Sequence, residues 1–119
     1  RMLVARVAVL ENRLDDAVVM LRKVVDKPAT PVLGELSSQR LARVLAADGK
    51  ADEALKLLGG NGLAAYRSAR DELRGDILVQ LKRLDEARQA YLQARDNLDE
   101  SSAAGSLMMK LDDLSAKDA

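Results

Sequence analysis

The chain has 119 residues, with 19 Lys+Arg against 19 Asp+Glu, so its formal net charge is zero. That balance argues against nucleic acid or anionic lipid as the principal partner, because both draw on a basic field. With no histidine and no cysteine, imidazole and thiolate metal sites and the usual nucleophile–base pairs are excluded, so no cofactor, metal or catalytic residue is assigned and the chain reads as a non-enzyme.

The length suits one domain able to bury about two thirds of its unfolded surface. Tyr66 and Tyr91 are the only aromatics, so the core must be built from Leu, Val and Ala. No run of 18 apolar residues and no signal peptide occurs. Arg1-Met2-Leu3 is already helical in character, which reads as a fragment whose N-terminal part has been removed.

In chain order, helices are expected over residues 1–12 and 14–26. Pro28 and Thr30-Pro31 then break the pattern. Thr30 is a good N-cap and Pro31 suits the first helical position, so a third helix should run from there to about residue 47. Asp48-Gly49 closes it. A fourth helix, about 51–58, is stopped by Gly59-Gly60-Asn61-Gly62. Asn61-Gly62 can also signal a β-hairpin, but no alternating strands flank it, so a helix–helix connection is expected. The fifth helix spans about 63–81 and turns at Lys82-Arg83 into the sixth, about 84–98. Asp99-Glu100-Ser101-Ser102 is a polar joint. A seventh helix, about 102–114, carries Leu107, Met108, Leu111 and Leu114 on one face and suits a cap over the last repeat. Residues 115–119 are expected to fray.

These elements repeat. ARVAVLENRLDDAVVMLRKVV, LARVLAADGKADEALKLL and LRGDILVQLKRLDEARQAYLQA each hold an acidic pair followed by alanine, at Ala17, Ala54 and Ala87, spaced 37 and then 33 residues apart. Twelve residues before each alanine stand the small Ala5, Ala42 and Gly75; nine before stand Ala8, Leu45 and Leu78. Three before stand Leu14, Ala51 and Leu84, and four after stand Leu21, Leu58 and Tyr91. Small residues let paired helices approach, and the larger ones fill the groove between them, because positions three and four apart share a helix face. A period near 34 with a helix–turn–helix in each unit resembles the tetratricopeptide repeat (TPR). The third copy matches best, through Gly75, Leu78, Leu84, Ala87, Tyr91 and Ala94. The resemblance implies an all-α fold: three TPR-like helix hairpins in a right-handed array plus a C-terminal capping helix. The repeats would cover about 1–28, 31–61 and 63–98 of a single domain, with the cap at about 102–114.

The candidate chemistry is sparse. The three acidic pairs should sit in the first turn of each second repeat helix, complementing the macrodipole. Asp112-Asp113 reads as a solvated face, and Met108-Met109 as cap packing. Arg74-Gly75-Asp76 spells a known adhesion tripeptide, but within a helix it is read as coincidence. The inner curve of a TPR array is more informative. Eleven residues before each alanine stand Arg6, Arg43 and Asp76, and four residues earlier stand Met2, Gln39 and Glu72. Arg6, Gln39, Arg43, Glu72 and Asp76 are therefore the candidate protein-binding residues of a concave face. The Lys and Asn set with which some TPR domains grip a terminal carboxylate is missing, which argues against capture of that kind.

A narrower resemblance rests on Gln39-Arg40-Leu41-Ala42-Arg43-Val44, Lys50-Ala51-Asp52-Glu53-Ala54-Leu55, Leu73-Arg74-Gly75-Asp76, Asp85-Glu86-Ala87-Arg88 and Met109-Lys110-Leu111-Asp112-Asp113-Leu114. These resemble the periplasmic region of the YfgM-like ancillary subunit of the bacterial SecYEG translocon. The resemblance implies an inner-membrane protein in which this part lies in the periplasm. It would be anchored by a transmembrane helix absent from this fragment, and would bind translocon subunits, periplasmic chaperones and exported chains. A TPR adaptor of another bacterial envelope assembly, or a self-association module, is the alternative.

Overall fold

The computed structural model describes residues 2–60, 62–98 and 105–118, with side chains over 13–60, 62–98 and 105–115. Its elements are six α-helices: α1 (Met2–Asp26), α2 (Pro31–Ala47), α3 (Ala51–Leu57), α4 (Arg67–Gln80), α5 (Leu84–Asp96) and α6 (Gly105–Asp118), with a 3-10 turn at Ala64–Tyr66 leading into α4. No strand occurs among the described residues; Asn61, on which the choice between hairpin and helix–helix connection fell, lies outside them. The all-helical plan of hairpins plus a terminal helix is the one observed. The chain forms two compact units, Arg1–Gly59 and Gly60–Ala119.

In the first unit α1 and α3 both pack on α2. The Thr30 hydroxyl accepts from the Leu33 amide at 3.0 Å, and Pro31 opens the helix behind it. This satisfies one orphan donor and spends none, which is why α2 starts where the sequence places it. Leu41, Ala42, Leu45, Ala54 and Leu58 form the dry seam of the α2–α3 hairpin. In the second unit α5 packs against both α4 and α6. Leu73, Ile77, Leu78, Ala87, Ala90, Tyr91 and Ala94 fill the α4–α5 hairpin. The Ser68 hydroxyl ties its open end by donating to the Ala94 carbonyl at 2.8 Å.

The two hairpins turn alike. Gly49 (φ 78°) and Lys82 (φ 60°) stand in the left-handed region, five residues before Ala54 and Ala87. Lys50 N–H then donates to the Leu45 carbonyl at 2.8 Å, and Arg83 N–H to the Leu78 carbonyl at 2.9 Å. This closure satisfies carbonyls the ended helix leaves open. Lys82 has a Cβ in that conformation and carries a strain of roughly 1–2 kcal/mol.

The first copy departs from expectation. Asn12 holds the column of Gly49 and Lys82, yet α1 runs through it unbroken from Met2 to Asp26. The expected separate helices over 1–12 and 14–26 are one helix. That stretch contains neither Gly nor Pro, which permits a continuous ladder that satisfies every interior amide. Lys82 turns without either residue, so their absence does not by itself require the continuity. The acidic pair Asp15-Asp16 is then mid-helix and exposed, far from any N-terminus. Its macrodipole rationale holds only for Asp52-Glu53 in α3 and Asp85-Glu86 in α5.

Candidate functional site

Two constellations stand out, one in each unit. In the first unit α2 projects Leu33, Leu36, Arg40 and Arg43 at spacings of three, four and three residues, which is one stripe of a helix. With Ser37 on α2 and Leu21 on α1, they line a groove of about 390 Å³. Leu33 and Leu36 are 42% and 46% exposed, unusual for a leucine pair beside a packed seam. Arg40 and Arg43 are exposed as well. The nearby acids are occupied elsewhere: Glu53 pairs with Arg22 at 3.6 Å, Asp48 with Lys50 at 3.6 Å, and Glu35 accepts from Gln39 at 3.4 Å.

In the second unit Lys110 of α6 is clasped by two carboxylates of α4. Its ammonium lies 2.6 Å from Glu72 Oε2 and 3.0 Å from the Asp76 carboxylate. The Tyr91 hydroxyl of α5 donates to Asp76 Oδ1 at 2.6 Å, and the Lys110 Nζ stands 6.0 Å from the Tyr91 ring centroid. Ser106 adds a donation to Glu72 at 3.4 Å. Burial of the ammonium works to lower the Lys110 pKa, but its bonds to Glu72 and Asp76 and their charges outweigh that and hold it above the ordinary value. Burial pushes the Tyr91 phenol well up, and the bond to Asp76 with the negative charge of Asp76 and Glu72 adds to it. One turn upstream, burial raises the Asp71 carboxyl against the opposing pull of Arg74, 3.3 Å away.

The candidate binding residues are thus scattered in role. Arg6 lies outside the described side chains. Gln39 is not on an open face: it is only 4% exposed and bonded to Glu35. Its polarity serves a buried pair with Glu35. Glu72 and Asp76, named as concave-face candidates, hold Lys110 of the terminal helix. Of the four whose side chains are described, Arg43 alone is exposed on a groove wall. Sequence reasoning missed Leu33 and Leu36, which precede the aligned columns, and Arg40, which falls between two of them; the signal was their three-four-three spacing with Arg43. It also missed Lys110 and placed Met108 in the cap seam. Leu107 and Leu114 are buried there, whereas Met108 is 45% exposed.

Arg74-Gly75-Asp76 is helical, with Gly75 buried. No group of three His, Cys, Asp or Glu side chains among the described residues is placed to hold a metal ion. No described helix is long and apolar enough to cross a membrane. The family model described as a tetratricopeptide repeat-like domain matches residues 1–116. No curated protein and no solved structure matches the chain.

Proposed function

Because the chain belongs to the tetratricopeptide repeat-like domain family, whose members are generally protein-interaction modules, we propose that it binds proteins without catalysing a reaction, as the periplasmic part of an ancillary subunit of the bacterial SecYEG translocon. The observation that carries binding is the groove on α2, where two exposed leucines and two exposed arginines share one stripe. Apolar surface left open beside fixed charge is the usual composition of a recognition face. The translocon assignment is supported by the MKLDDL-type terminal helix. Its Lys110 meets Glu72 and Asp76, so the parts that carry the resemblance work together in this chain. In this reading the partners are translocon subunits, periplasmic chaperones and exported chains, and a membrane anchor lies outside this sequence.

The test is a photo-crosslinking residue at position 36 of the full-length protein in its own cells. Capture of translocon subunits and of periplasmic chaperones is expected. Capture of other envelope-assembly proteins instead would replace the translocon by a different machine, and capture of nothing would remove the binding reading. Self-association is the second reading, favoured by Val19 and Met20, which are exposed on α1. Concentration-independent monomer mass in light scattering removes it.

A further inference from the structure

We propose that the α2 groove recognises an acidic aliphatic segment of a partner protein: two carboxylate side chains about one helical turn apart, flanked by aliphatic side chains. The proposal rests on the protein-binding reading and names the chemistry of the partner at that site. Charge complementarity identifies the occupant. Arg40 and Arg43 are three residues apart on one helix, so their Cβ atoms lie about 5–6 Å from each other. Neither makes an ion pair with a described side chain, and no carboxylate is among the described residues that line the groove. Two guanidiniums at this spacing match two carboxylates at i and i+3 or i+4 of an incoming turn, each pair able to form paired N–H···O bonds.

The apolar part fixes the rest. Leu33 and Leu36 lie about two turns and one turn before Arg40 on the same stripe, and Leu21 of α1 closes the wall. A segment whose carboxylates reach Arg40 and Arg43 must lay apolar side chains over Leu33 and Leu36, or leave them in water. The volume of about 390 Å³ is at the small end of ligand clefts, enough for a few aliphatic side chains but not for a folded domain. A polyphosphate or nucleic acid would need a wide basic field, whereas the whole chain is neutral. A fatty acid offers one carboxylate and leaves the second arginine unmatched. Recognition is of side-chain carboxylates, so a blocked C-terminus should not matter.

The experiment uses the whole chain and three fluorescent 12-residue peptides, acetylated and amidated. One carries two Glu four residues apart between Leu residues, one has both Glu→Gln, and one keeps both Glu but has the Leu changed to Ser. Fluorescence anisotropy at about 0.1 M salt should rank the first at least tenfold above both others. Arg40→Ala with Arg43→Ala should bring the Glu peptide down to the Gln peptide while leaving the Gln peptide's affinity unchanged. Leu36→Asp should weaken both. Equal binding of Glu and Gln peptides, retained preference in the double variant, or no binding up to millimolar peptide would each overturn the proposal. So would a concentration-dependent dimer that Arg40→Ala with Arg43→Ala dissolves, because the occupant would then be a second copy. If crosslinking at position 36 captures partners while the peptides show no charge preference, the partner chemistry fails and the binding reading stands.

Discussion

Tyr91 occupies the space that any Cβ on Gly75 would need: an ideal Cβ there would overlap the Cδ1 and Cε1 atoms of the ring. The corresponding pair in the upstream hairpin is Ala42 with Leu58, both fully buried. In these two hairpins a small residue and a larger one hold the paired columns, which fits columns coupled by volume rather than fixed in identity.

Gly75→Ala should therefore destabilise despite its better helix propensity. Overpacking costs typically 1–3 kcal/mol, against a propensity gain of about 1 kcal/mol. In a Tyr91→Leu background the clash is gone and the same change should stabilise, by roughly 0.5–1 kcal/mol. Urea denaturation of the four proteins reads this sign reversal. A destabilising Gly75→Ala in both backgrounds would mean that the ring is not what excludes the Cβ.

How α1 behaves shows what the sequence could and could not say. The hairpins α2–α3 and α4–α5 were legible because each column has a physical reason. Thr30-Pro31 starts a helix, Gly49 ends one, and small residues face large ones. The first copy has the same columns of small and apolar residues, but a column pattern only says which faces are buried. It does not say that the chain turns. Lys82 leaves the helix although it is not a glycine, whereas Asn12 stays in the ladder, so the residue at the turn column does not decide it. The site was less legible still. Periodicity marked Gln39, Glu72 and Asp76 as polar, whereas their partners decide their role: Glu35 one turn earlier on the same helix for Gln39, and Lys110 of another helix for Glu72 and Asp76. The pairing with Lys110 is invisible until the elements are packed.

Continuity of α1 is testable at Arg13, an exposed position in its interior. Arg13→Pro removes one ladder bond and brings the ring against the preceding turn, a cost of about 3 kcal/mol. Circular dichroism should show lost helix and the melting transition should fall by many degrees. Were residues 12 and 13 a hairpin turn, proline would change stability by no more than about 0.5 kcal/mol, so a neutral outcome would restore the two-helix reading.

The terminal helix should loosen in alkali and not in acid near neutrality. Both Lys110 and Tyr91 have folded-state pKa values raised above their ordinary 10.5 and 10.0. A raised value adds stability that is complete below the unfolded pKa and is lost as pH rises through the folded one. The clamp therefore holds through neutral pH and weakens only above about pH 10. Lys110→Met should lower stability by about 1 kcal/mol at neutral pH, the discounted worth of partly exposed charge-assisted bonds. It should also flatten the alkaline decline, and Tyr91→Phe should flatten it further. Amide exchange in residues 105–115 at pH 7 and above 10 measures it. Unchanged protection in Lys110→Met would show that Leu107 and Leu114 alone hold α6.

Arg43 and Asp76 hold the same column of their repeats, yet the structure gives them opposite duties, and single charge reversals should separate them. Arg43 is exposed on the groove wall, and its side chain pairs with no acid among the described side chains. Arg43→Glu should leave the melting temperature within the spread of surface changes, about 0.5 kcal/mol, while reducing capture at position 36. Asp76 accepts from Tyr91 and faces Lys110. Asp76→Arg would set a cation against the Lys110 ammonium and strip the phenol of its acceptor, two unfavourable changes at one partly buried point. Its cost should reach about 2 kcal/mol, with faster exchange in α6 and no direct effect on the α2 groove. Calorimetry with amide exchange reads the first difference, and crosslinking reads the second. Equal stability of the two variants would mean that Asp76 does not hold the terminal helix, and the clamp would have to be reassigned to Glu72.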